Sequence, residues 1–83
     1  MNITELRPGF LARIRRMHAR PGEQPPPVVA VESLPEPCGD GHCQDVRLVA
    51  RDLETGRELV YHRPPEFEVE LWGRTIASIE EIA

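Results

Sequence analysis

Lysine is missing from the sequence: every one of its 10 basic residues is arginine. Aromatic residues are scarce, with one tryptophan, one tyrosine and two phenylalanines. Only two cysteines are present. No run of about eighteen apolar residues occurs, so no membrane-spanning helix is expected. The N-terminus has no apolar stretch ahead of a small-residue cleavage site, so it does not read as a secretory signal. The expectation is a cytoplasmic chain without membrane contact, in which two cysteines serve as thiols or ligands rather than a structural disulfide. The scarcity of aromatics argues against single-stranded nucleic acid, whose bases are normally stacked on aromatic side chains.

The absence of lysine accompanies nine prolines. A GC-rich coding sequence explains both, because arginine and proline codons are GC-rich. The functional alternative is a use for guanidinium forks, which grip phosphate or carboxylate bidentately. The charge is also uneven. Residues 1–21 carry Arg7, Arg13, Arg15, Arg16 and Arg20 against Glu5, whereas residues 66–83 carry Glu66, Glu68, Glu70, Glu80 and Glu81 against Arg74. The net charge is −4, which disfavours nonspecific DNA binding while leaving a local basic face.

At 83 residues the chain is expected to be a single domain, 1–83, with a small core. Its strongest local pattern is "VRLVARDLETGRELVYH", residues 46–62. Two alternating segments flank "LETG", where Gly56 can take the positive φ that closes a four-residue hairpin loop. Pro64 and Pro65 then stop any central strand, because neither donates a ladder hydrogen bond. In "EFEVELW", Phe67, Val69 and Leu71 alternate with Glu66, Glu68 and Glu70, the pattern of a half-buried strand with an acidic outer face. Upstream, a strand is expected at 28–34 behind the extended proline loop "RPGEQPPP". Ile3, Leu6, Phe10, Ile14 and Met17 would share one face of a helix. Pro8-Gly9 interrupts that helix, and a turn over 1–9 followed by a strand at 10–17 is favoured. "RTIASIEEIA" reads as a strand start that ends in a loose turn.

The expected class is therefore mainly β, with about five short antiparallel strands and room for a short helical turn at either terminus. Leu48, Leu59, Tyr61, Phe67, Val69 and Leu71 are expected in the core, with the glutamate stripe lying near Arg13 and Arg15. The opening "LRPGFLARI", the "DLETGRE" hairpin and the closing "FEVELWG" together resemble SH3-like small barrels, in which closure of the sheet removes its edges. The resemblance concerns fold only and matches no specific family. It implies recognition of peptides, other proteins or nucleic acids, and carries over no binding residues.

Chemistry concentrates in "PEPCGDGHCQD". Four residues separate Cys38 from Cys43, with His42 beside the second, and structural zinc takes four ligands from such loops. Cys38, Cys43 and His42 are the candidate ligands, with Asp40 as an alternative third and His62 or His18 as a fourth, but no second pair of cysteines supports them. The plainer reading is a glycine-rich loop with incidental cysteines, and no cofactor is expected. Catalysis needs a nucleophile, a base and an orienting group in contact. Only Cys43 or Cys38 with His62 comes close, and no enzymatic activity is expected. Tyr61, Trp72 and Arg74 form the candidate protein-binding patch, since tryptophan and arginine are enriched at interface hot spots. The leading expectation is a non-enzymatic protein-interaction module: an adaptor, an accessory subunit, or an inhibitor of the kind phages and mobile elements encode. A nucleic-acid-binding regulator using Arg13, Arg15, Arg16 and Arg20 is the alternative, and a zinc-binding domain the third reading.

Overall fold

Asn2 begins the fold by capping a 3-10 turn, Ile3–Glu5, in a computed structural model that describes residues 1–73. Its Oδ1 accepts from the Thr4 N–H at 3.2 Å, and the Glu5 carboxylate accepts the Asn2 N–H at 2.8 Å. This is a reciprocal capping box, with the Asn-x-x-Glu spacing that the motif requires. The turn drives Ile3 and Leu6 into full burial. Gly9 then takes φ 94°, a left-handed conformation suited to glycine, and its N–H reaches the Val31 carbonyl at 2.8 Å.

Six strands follow: β1 (Leu11–Arg13), β2 (Val28–Val31), β3 (Glu36–Pro37), β4 (Val46–Asp52), β5 (Glu58–Arg63) and β6 (Glu70–Gly73). All pairings are antiparallel and form one sheet in the order β3-β4-β2-β1-β6, with β5 on the other edge of β4. The mainly-β expectation holds, with one strand more than expected. Among the described residues the sheet is open, with no ladder joining β5 to β6. No described helix is long and apolar enough to cross a membrane.

The strand expected at 10–17 shrinks to β1, and its pairing explains why. Arg13 faces Val28 at the end of the β1–β2 ladder. The next residues on that partner strand are Pro27, Pro26 and Pro25, which have no N–H to donate, so the ladder stops. The strand expected at 28–34 also stops early. Glu32 and Ser33 both donate their N–H groups to the Val49 carbonyl, at 2.8 and 3.2 Å, while the Ser33 hydroxyl oxygen accepts from Val49 N–H at 2.9 Å. A side chain thus replaces one rung and the backbone bends before β3 rejoins β4.

The hairpin forms as its alternation demands. Asp52 N–H donates to the Arg57 carbonyl at 2.9 Å, closing a four-residue loop in which Gly56 takes φ 73°. Asp52 Oδ1 stiffens that loop by accepting from the Glu54 and Thr55 N–H groups, at 2.8 and 3.3 Å.

The segment expected as one strand at 66–72 is divided. Phe67 and Val69 bond to the N-terminal Ile3 and Met1, at 2.8 Å each, and only Glu70–Gly73 pairs with β1. The register between β1 and β6 slips between Leu11 and Ala12, leaving Trp72 as the extra residue of a bulge. Glu66, Glu68 and Glu70 are all exposed, as their alternation requires.

The core gathers Ile3, Leu6, Ala12, Ile14, Val29, Val31, Leu48, Ala50 and Val69, against which Phe10, Val46, Leu59, Tyr61 and Phe67 pack half-buried. Leu71, expected among them, is half-buried and stands outside this cluster. It sits opposite Ala12 at the sheet margin beside the bulge, and the N-terminal turn fills the space nearer the centre with Ile3 and Leu6. Met17 is 47% exposed, because the helix that would have turned it inward does not form. The expected strand and turn at 74–83 lie outside the described residues.

Candidate functional site

The two faces of β5 carry different chemistry. Leu59, Tyr61 and Arg63 point to the core side, and Glu58, Val60 and His62 to the other, as the strand's period of two dictates. Each of the two candidate sites uses one of these faces.

On the outer face, His62 stands opposite Arg47 of β4 and meets the cysteine loop. That loop is closed by its own backbone. Cys38 N–H donates to the Asp45 carbonyl at 3.0 Å, and Cys43 N–H to the Asp40 carbonyl at 3.0 Å. Gly39 takes φ 89° between them, and Asp40 Oδ1 accepts from the His42 N–H at 3.0 Å. The result brings Cys38 Sγ, Cys43 Sγ and a ring nitrogen of His62 within 4.8 Å of one another. Cys43 Sγ is 3.3 Å from His62 Nε2, and Asp45 Oδ2 is 3.4 Å from His62 Nδ1.

His42 and Asp40, the alternatives expected for the third ligand, stand outside this group among the described residues; His62 takes that place. Asp45 was not anticipated. Its position one residue before β4, opposite the end of β5 that bears His62, is the only sequence signal that would have found it. Asp45 also acts on the thiol. Its backbone hydrogen bond draws the Cys43 pKa down, but burial, the neighbouring Cys38 and the Asp45 carboxylate push it up more, and the net shift is upward. An upward shift keeps Cys43 protonated, the opposite of what activates a nucleophilic cysteine.

On the inner face, Tyr61 and Arg63 border a cleft of about 300 Å³. Ile14, Leu59, Pro26 and Pro27 supply its apolar wall, while Arg15, Arg16, Glu23 and Gln24 complete the rim. Arg63 is fixed there by donating from Nε and Nη2 to the Arg15 carbonyl, at 3.2 and 3.1 Å. Its guanidinium lies 5.4 Å from the Tyr61 ring centre and 5.5 Å from that of Phe67, within cation–π range. Burial lowers the Arg63 pKa from its ordinary value, with Tyr61 opposing the change. Burial raises that of Tyr61, Arg63 counteracts it, and Asp52 adds to the rise.

The arginines read from the sequence as one group meet different surroundings, although Arg15 and Arg16 share the rim of the cleft. Arg16 Nε donates to Glu23 at 3.0 Å, a bond that raises the Arg16 pKa and lowers that of Glu23. Arg13 is half-buried beside Pro25 and Asp52, and its Nε is buried with no hydrogen-bond partner among the described residues. Arg15 and Arg20 are exposed. Arg13 is opposite Glu70 in the ladder, but among the described residues no ion pair joins Arg13 or Arg15 to the glutamate stripe. Glu68 binds the N-terminal ammonium instead, at 3.1 Å.

The expected protein-binding patch is also spread out. Tyr61 is on β5 and Trp72 on β6, with β4, β2 and β1 between them in the sheet, and Arg74 lies outside the described residues. The bulge leaves Trp72 56% exposed. Protein-family models, curated proteins and solved structures contain no match to this chain.

Proposed function

We propose that the protein is a small non-enzymatic interaction module that binds a partner protein through the cleft beside Tyr61. The observation that supports it is the make-up of that cleft: an apolar wall of Ile14, Leu59, Pro26 and Pro27 under a rim bearing three guanidinium groups. Concave, mostly apolar sites with a few fixed polar groups are the usual form of a recognition site. The ligand that fits is a short segment offering one apolar side chain and an adjacent carboxylate.

SH3-like closure of the sheet belongs to the same reading. In its favour, β6 lies on β1, bringing the last described strand against the first, and Arg63 of β5 reaches the carbonyl just beyond β1. A cytoplasmic setting fits the two free thiols. Trp72 offers a second anchor away from the cleft.

The experiment is affinity capture with the parent and a Tyr61→Ala/Arg63→Ala variant, followed by direct binding to the captured protein and to peptides from it. The expected result is saturable micromolar or tighter binding that the variant loses while keeping its circular dichroism spectrum. A partner bound equally well by parent and variant removes the cleft from the proposal.

A further inference from the structure

We propose that Cys38, Cys43 and His62 form a zinc site, with Asp45 orienting the histidine.

The geometry fits in three respects. Zinc bonds of about 2.3 Å to sulfur and about 2.0–2.1 Å to nitrogen place tetrahedral ligands roughly 3.5–3.8 Å apart. Cys43 Sγ and His62 Nε2 are 3.3 Å apart, and all three donors fall within 4.8 Å, so small side-chain rotations reach coordination distance. Next, His62 presents Nε2 to the sulfurs while Nδ1 faces Asp45 at 3.4 Å. A carboxylate that accepts Nδ1–H fixes the tautomer whose Nε2 lone pair is free to bind metal, the usual support of a ligating histidine. Finally, the backbone bonds from Cys38 to Asp45 and from Cys43 to Asp40 bring the cysteines together by themselves, so the loop is already shaped for the ion.

Two sulfurs and one imidazole select a borderline-soft divalent ion over magnesium or calcium, which prefer oxygen. On binding, each thiol releases its proton to solvent and the neutral imidazole coordinates through Nε2. Two thiolates then balance the charge of the ion. With the His62 side chain 45% exposed, water completes the tetrahedron. Such a three-ligand site exchanges its metal more readily than a closed four-ligand one. The site is independent of the cleft, being on the opposite face of β5.

The test uses the reduced, metal-stripped full chain, titrated with Zn²⁺ against a chromophoric chelator. One ion per chain is expected, with binding lost in Cys38→Ser, Cys43→Ser and His62→Ala but kept in His42→Ala. Asp45→Asn should weaken affinity about 10- to 100-fold. Co²⁺ in place of zinc should give thiolate-to-metal charge-transfer absorption. The parent alone supplies a check free of folding effects: zinc should protect both cysteines from alkylation. Substoichiometric binding, unchanged affinity in His62→Ala, or equal loss in His42→Ala overturns the site. So does rapid alkylation of Cys43 in the presence of zinc, which would identify a reactive thiol instead.

Discussion

Leu48 is fully buried at the centre of β4, between Val46 and Ala50 on the core side. Truncating it to alanine removes a large side chain from a small core that has little slack to refill the space. Leu48→Ala should cost about 2–5 kcal/mol, whereas Leu71→Ala, at a half-buried position beside a bulge, should cost clearly less. Urea melts of the two variants check the order, and equal losses would mean the β6 register is wrong. Glu23 makes a different kind of prediction. The hydrogen bond from Arg16 stabilises its charged form and holds its pKa below the ordinary 4.5. The stabilisation is therefore present above the ordinary value and is lost as pH falls through the lowered one. NMR titration should find the Glu23 midpoint below 4.5, and Arg16→Gln should raise it. Both groups are solvated, so this pair shapes the rim of the cleft more than it stabilises the fold.

The β4–β5 hairpin was legible because its signals agree: strict alternation on both arms and a glycine where the loop must turn left-handed. Gly56→Ala should destabilise by about 1–2 kcal/mol, the cost of a Cβ in that conformation, although nothing lies within 4 Å of the position. A thermal melt unchanged by this substitution would show that the loop adopts another turn. Other elements were legible only in part, since each depends on a distant partner. Phe10 to Arg15 alternates well enough for a strand, but Pro25–Pro27 denies the residues after Arg13 a ladder. Asn2 and Glu5 spell a capping box, yet its value comes from the slots that Ile3 and Leu6 fill beneath the sheet. At the cysteine loop, the spacing of Cys38 and Cys43 was visible, but the choice of His62 over His42 follows from the register that sets His62 opposite Arg47. The core contains no cysteine, so metal binding and folding are separable. Chelation should leave the far-ultraviolet circular dichroism unchanged, unlike zinc-dependent domains that unfold without metal. Loss of β signal on chelation would mean that the loop, not the core, holds the sheet together.

Across the whole molecule, among the described residues, the basic start of the sequence and the glutamates at 66, 68 and 70 do not condense into one complementary seam. Glu68 takes the N-terminal ammonium, Arg16 takes Glu23, Arg51 takes Glu32 and Glu58, and Arg63 takes a backbone carbonyl. Such local pairing lowers the charge available to a polyanion. The described arginines that a phosphate backbone could reach without competition are fewer than the sequence implied, and they stand on a chain of net charge −4. Electrostatic binding to nucleic acid needs several such contacts, each contributing about one unit to the slope of log affinity against log salt. The two readings of the arginines therefore separate cleanly in a salt titration of DNA and RNA binding, comparing the parent with an Arg13→Glu/Arg15→Glu variant. A protein-binding module should show only weak background affinity, equal in parent and variant and without a steep salt slope. Micromolar or tighter binding by the parent at physiological salt, with a slope about two units shallower in the variant, would transfer the function from the cleft to the arginines.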